Sequence, residues 1–213
     1  MASSLVPVKG KPGKFYNKLT KTEIDIVEWR EDDKYDTVTL PAGLVATGLF
    51  RNFFRDIQGK NLIDTNFTTQ RRLPAGEEMI IDRVWAYVPM SNGATNPVPA
   101  DIKRVGDNSY IKFQINRKDV AEGPLVKFPS GYGFAGNTVE AGAGVITLGV
   151  PSTAAAAKLV REQYITHEHD VDAVLTFFDR LWDTVSVPGM PTLVSFMHVK
   201  AGFHGLVRAA ATK

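Results

Sequence analysis

The residues with the most chemistry to offer are His167, Glu168 and His169, with Asp170 and Asp172 just after them. Two histidines separated by one residue lie on the same face of a strand, near enough to share a metal ion. His198 and His204 are the chain's other two histidines and the available partners, and the two aspartates can add oxygen ligands. The plainer reading is the polar outer face of a strand, with His–Asp pairs along it.

Gly131-Tyr-Gly133-Phe-Ala-Gly136 fits G-x-G-x-x-G. A phosphate-binding version needs a strand before it and a helix opening at the third glycine. Asn137 to Gly144 follows instead, too glycine-rich to nucleate a helix, so the motif reads as a loop that accepts positive φ and close approach of another chain. Nucleophilic chemistry has less support. The chain has no cysteine and no G-x-S-x-G, and Ser130 lacks the setting of a nucleophile elbow. Asn66-Phe-Thr68 fits a glycan acceptor, Glu77 and Glu78 fall in a turn, and Arg71, Arg72 and Arg104 read as scattered positive charge. No catalytic residue, metal or cofactor is assigned, and the chain reads as a non-enzyme.

The elements that must carry these residues are mostly strands. Ile111, Phe113 and Ile115 alternate with Lys112, Gln114 and Asn116; Val171, Ala173, Leu175 and Phe177 alternate with polar neighbours; so do Leu193, Met197, Val199, Ala201 and Phe203. Period-two patterning on this scale predicts half-buried strands in antiparallel sheets. Met79 to Val88 is apolar on both sides apart from Asp82 and Arg83, which predicts a strand packed on the core by one face and on a neighbour by the other. Asp36 to Leu40 and Ile146 to Val150 add further strands, and Arg30 to Lys34 reads as a charged turn. Two segments read as short helices: Leu49 to Ile57, from the spacing of its phenylalanines, and Thr153 to Glu162, capped by Ser152 and rich in alanine. Residues 91–100 and 130–145 read as irregular loops. The sum is an all-β, antiparallel two-sheet jelly roll of about eight strands with one or two short inserted helices.

Residues 1–22 read as a basic extended arm, and 23–213 as one jelly-roll domain. The arm holds Lys9, Lys11, Lys14, Lys18 and Lys21 and no acidic residue, while Pro7, Gly10, Pro12 and Gly13 break regular structure. It is either a solvated tail or an extension that docks on a neighbouring subunit, an anionic lipid surface or nucleic acid. Elsewhere the charge balances: the formal net charge is +2, too little to make nucleic acid the partner of the whole surface. No run of about 18 apolar residues is present, and Met1 to Val8 lacks the apolar core of a secretion signal.

Three stretches resemble the single jelly-roll capsid proteins of tailless icosahedral, often membrane-containing, bacterial viruses. They are Asp64 to Val88, where a Thr-Asn turn leads through Leu-Pro-x-Gly-Glu into a long strand; Ile111 to Gly133, with a strand, a tight turn and a Gly-Pro-Leu strand; and the final strand from Val194 to Ala210. The resemblance implies a virion structural subunit made in the host cytoplasm. It implies no active site and no small-molecule substrate. Its partners are then copies of itself and other capsid proteins, with arms or inner ends turned toward membrane or genome. Two alternatives stand beside it. Metal-binding cupins are also jelly rolls with a His-x-His pair, but the glutamate they carry a few residues later is absent here, where 170–174 read Asp-Val-Asp-Ala-Val, so that alternative rests on His167 and His169. A carbohydrate-binding sandwich would use Trp85, Trp182 or Tyr132.

Overall fold

A computed structural model describes residues 4–40, 43–44, 50–89, 99–130, 135–138, 144–147, 156–177, 192–193 and 196–209. The architecture is all-β. The chain opens with a three-stranded meander, β1 (Leu5–Pro7), β2 (Lys14–Asn17) and β3 (Thr22–Asp25), followed by a 3-10 turn at Ile26–Glu28. Next come β4 (Trp29–Leu40), β5 (Gly43–Leu44), β6 (Phe50–Asn52), β7 (Glu78–Tyr87), a helix α1 (Pro99–Asn108), β8 (Ser109–Ile115) and β9 (Lys118–Pro124). The rest is β10 (Ala135–Thr138), β11 (Gly144–Thr147), β12 (Ala157–Thr166), β13 (Val171–Phe177), β14 (Thr192–Leu193) and β15 (Met197–Arg208).

Two four-stranded antiparallel sheets dominate. One runs β12-β7-β15-β4 and the other β6-β13-β8-β9; β10 pairs with β11, and β5 with β14. Numbering the eight strands of the large sheets along the chain, the first pairs with the eighth, the second with the seventh, the third with the sixth and the fourth with the fifth. That is the pairing of one long antiparallel ribbon, wound so that strands one, three, six and eight form one sheet and the rest form the other.

The period-two pattern decides which faces meet. Ile111, Phe113 and Ile115 of β8, Val171, Ala173, Leu175 and Phe177 of β13, and Met197, Val199, Ala201 and Phe203 of β15 all enter one core. Phe113 of one sheet meets Phe203 of the other edge-on at 5.6 Å, and Phe54 and Phe128 complete the ring cluster. Each buried phenylalanine contributes roughly 1.5–3 kcal/mol of apolar burial, so this stack is a main source of cohesion between the sheets. β7 is buried on both faces, as its composition requires: Met79, Ile81 and Val84 face the core, while Ile80 and Trp85 are buried outside it.

Several local expectations are corrected. Leu49 to Ile57 is not a helix over its described part, because β6 pairs with β13, Phe53 N–H donates to Ala173 O, and Phe54 N–H donates to buried Asp36 Oδ2 at 2.6 Å. Those bonds take the donors a helix would need. The expected helix at Thr153 to Glu162 is strand β12 from Ala157 onward, with 153–155 outside the described residues. Alanine's helix preference is weak beside the open edge that β7 offers. The charged run Arg30 to Lys34 is a continuous part of β4, because β15 pairs with it over its whole length. Helix α1 lies in a segment read partly as loop; its Ile102 and Val105 are one turn apart and reach the core. The prolines and glycines of the N-terminal segment do not abolish structure there but turn it, with Gly10 and Gly13 at positive φ between β1 and β2. The glycine-rich stretch holds β10, which contains Gly136, while residues 131–134 lie outside the described set.

Candidate functional site

The free edge of β4 is where side chains from distant segments converge. Its outward backbone groups would invite another strand. They are taken instead by a loop. Asn66 Oδ1 accepts from Tyr35 N–H at 2.9 Å, and its Nδ2 donates to Asp33 O at 2.6 Å. Thr65 Oγ1 donates to Tyr35 O at 3.0 Å, and Lys60 Nζ donates to Thr37 O at 2.6 Å. Both atoms of the Asn66 amide are thus engaged.

The same loop is held along its backbone. Thr37 Oγ1 donates to Asp64 O at 2.7 Å, Tyr35 OH to Leu62 O, and Lys200 Nζ to Ile63 O. Lys200 also lies 4.8 Å from the centre of the Tyr35 ring, and burial lowers its pKa. Between these anchors, Leu62 and Ile63 stand 78% and 76% exposed. Two aliphatic side chains thus stand on an immobilised backbone, a tip that would lose little ordering entropy if something docked on it. The remaining edges are limited differently. β6 has three residues, β12 bulges between Lys158 and Gln163, leaving Val160 85% exposed, and β9 bulges at Val120 and ends on Pro124.

The histidines do not converge. His167 and His169 lie in the turn between β12 and β13, not on a strand, and His169 Nδ1 accepts the Thr166 N–H at 3.1 Å. That bond closes the turn and directs the imidazole at the backbone. His198 sits on β15 with Nδ1 at 3.0 Å from Thr39 Oγ1, and burial lowers its pKa. No group of three metal-ligating side chains occurs among the described residues.

His204 has a distinct environment on the outer face of β15. Its Nδ1 is 2.9 Å from Asp33 Oδ1, and its Nε2 is 2.9 Å from Glu31 Oε1. Ionised carboxylates only accept, so a ring placed between two of them favours the protonated imidazolium. The hydrogen bond to Asp33 raises the pKa of His204, assisted by its charge and by Glu31 and Asp82. Trp85 Nε1 donates to the same Asp33 oxygen at 3.0 Å. Trp85 is only 6% exposed and its ring lies against Gly202, where an added Cβ would come within 2.6 Å, so it offers no open stacking platform. Trp182 and Tyr132 lie outside the described residues.

The N-terminal lysines are partly neutralised. Lys11 pairs with Glu23 and Lys14 with Asp25, each at 2.8 Å, while Lys9, Lys18 and Lys21 are exposed. The hydrogen bond with Asp25 raises the pKa of Lys14 and lowers that of Asp25. The meander is tied to the main sheet by Ser4 N–H, which donates to Glu162 Oε2 at 2.8 Å.

One cluster escaped sequence reasoning. Arg71 and Arg72, read as scattered, gather with Arg55 around Asp170 and Asp172. The side chain of Arg104 lies outside the described set. The alternation that put Asp170 and Asp172 opposite the apolar face of β13 was a usable signal, but nothing local says which cations meet them. No family model matches the chain, and no curated protein or solved structure matches it.

Proposed function

We propose that this chain is a jelly-roll capsid subunit that assembles with copies of itself and other coat proteins into an icosahedral shell. The observation that supports this reading is the strand order: first pairs with eighth, second with seventh, third with sixth and fourth with fifth, the order expected of a jelly roll. Jelly rolls serve capsids, lectins and cupins. The interior here favours the first, because Phe54, Phe113, Phe128 and Phe203 fill the space between the sheets that a cupin keeps for its ligand. The placement of His167 and His169 in a turn and not on a strand, and the buried Trp85, lend the other two readings less support.

The surface fits the same role. Blocked or shortened sheet edges allow crowding without open-ended strand pairing, and a fixed loop tip presents Leu62 and Ile63 to a neighbour. Modest contacts suffice, since each subunit of a shell meets several others. In this reading the N-terminal meander, with Lys9, Lys18 and Lys21 exposed, contacts a neighbouring subunit, a membrane or the genome.

Negative-stain microscopy of the purified protein tests the proposal. Regular shells or capsomers are expected; a monodisperse monomer with stoichiometric bound metal would favour the cupin-like alternative. Deleting residues 1–22 should leave a folded domain that assembles poorly, and normal particles from that variant would remove the N-terminal segment from the assembly role.

A further inference from the structure

We propose that one end of the second sheet is a phosphate-binding site built from Arg55, Arg71, Arg72 and Arg117. Backbone bonds assemble it from four separate segments. Arg71 N–H donates to Phe54 O and Val171 N–H donates to Arg71 O, both at 2.8 Å. Asn116 N–H donates to Asp170 O at 2.8 Å, and Asp170 N–H to Asn116 Oδ1 at 2.9 Å. The loop after β6, the Arg71-Arg72 turn, the β8–β9 turn and the start of β13 therefore meet at one place.

Charge and donor geometry set what the place can bind. Three guanidiniums, Arg55, Arg71 and Arg72, contact two carboxylates, and the charge of Arg117 in the adjoining turn also acts on Asp170. Arg55 places both Nε and Nη2 on a single oxygen of Asp172, and Arg72 gives only Nε to Asp170. Arg71 approaches no closer than 3.5 Å, and its buried Nε has no hydrogen-bond partner. The aspartates orient the arginines without saturating them. Planar guanidiniums with free N–H groups match the oxygens of a phosphate two at a time.

The backbone supplies a separate argument. Arg71 has φ 59° and Arg117 has φ 63°, in the left-handed region. Asn116 and Arg117 form a two-residue hairpin turn in which glycine is strongly preferred at the second position. Arginine there costs about 1 kcal/mol relative to glycine. One strained arginine at the carboxylates and another in the turn bonded to Asp170 call for a use that glycine cannot serve. Among the described residues, none of the large exposed apolar side chains lies in 71–72, 116–117 or 167–170, so nothing here would insert into a lipid bilayer. The phosphate then belongs either to a free anion or to a nucleic-acid strand.

Titration calorimetry with inorganic pyrophosphate, and fluorescence anisotropy with a labelled single-stranded oligonucleotide, separate these sources. Saturable binding of either is expected. Arg72→Gln and Arg117→Gly should each weaken it about threefold to tenfold and flatten its salt dependence. Arg117→Gly should keep or raise the melting temperature, which separates lost binding from lost folding. Pyrophosphate binding alone would assign a free anion; displacement of the oligonucleotide by pyrophosphate would assign the strand. Four results would overturn the site: no saturable binding of either probe, unchanged affinity in the Arg72→Gln/Arg117→Gly double variant, loss instead in Lys9→Gln/Lys18→Gln/Lys21→Gln, or binding confined to phosphatidylglycerol vesicles.

Discussion

His204 turns local geometry into a pH dependence. Folding raises its pKa above the ordinary 6.5, with the Asp33 hydrogen bond as the leading cause. The stabilisation is therefore fully present below about 6.5 and is lost as pH rises through the raised value. Glu31 and Asp33 are substantially exposed, so the charge-assisted bonds are worth only about 1 kcal/mol. The melting-temperature gap between wild type and His204→Gln should be widest under mildly acidic conditions and should close in mildly alkaline buffer. A gap independent of pH would show that the imidazolium contributes nothing. Asp170 behaves oppositely. The Arg72 hydrogen bond lowers its pKa, so its contribution is present above the ordinary carboxylate range and fades as acid protonates it. Gly205 is fixed by space. β7 carries one extra residue opposite His204 and Gly205, and a Cβ on Gly205 would sit 1.9 Å from Ile80 O. Gly205→Ala should cost about 3 kcal/mol in chemical denaturation, because two paired strands must part to admit it. A loss within the error of the measurement would mean the bulge relaxes freely.

At the scale of elements, the strands of the core were legible and the exceptions were not. β8, β13 and β15 announce themselves because one face is apolar and the other is not. The segment around β6 misled because Phe53 and Phe54 have helical spacing with Leu49 and Ile57, and only the partners Ala173 and Asp36 decide otherwise. β12 misled because alanine's preference is local while its pairing with β7 is not. The loop over β4 carries the assembly prediction. Leu62→Ser/Ile63→Ser should change folding stability by no more than about 0.5 kcal/mol, since both side chains are already in water. Under the shell reading it should raise the protein concentration at which particles form, measured by light scattering. Particles appearing at the wild-type concentration would mean that this tip touches no neighbour.

For the molecule as a whole, two sheets share one core, and the polar residues sort onto surfaces that the sequence does not order. Lys34 shows how far this goes: it reads as part of a charged turn, yet it is buried and paired with Glu77 at 2.5 Å. A buried pair of this kind tolerates loss of neither partner, because the survivor would be an uncompensated buried charge. The amino-acid order alone determined the all-β class, the inward faces of the longest strands and the absence of thiol chemistry, because alternation and composition are written residue by residue. Tertiary structure alone decided which strands are neighbours, that His167 and His169 sit in a turn while His198 and His204 ride on β15, and that arginines far apart in the chain share two aspartates. Those outcomes depend on how a ribbon is wound, and winding brings together residues whose separation along the chain carries no trace of it.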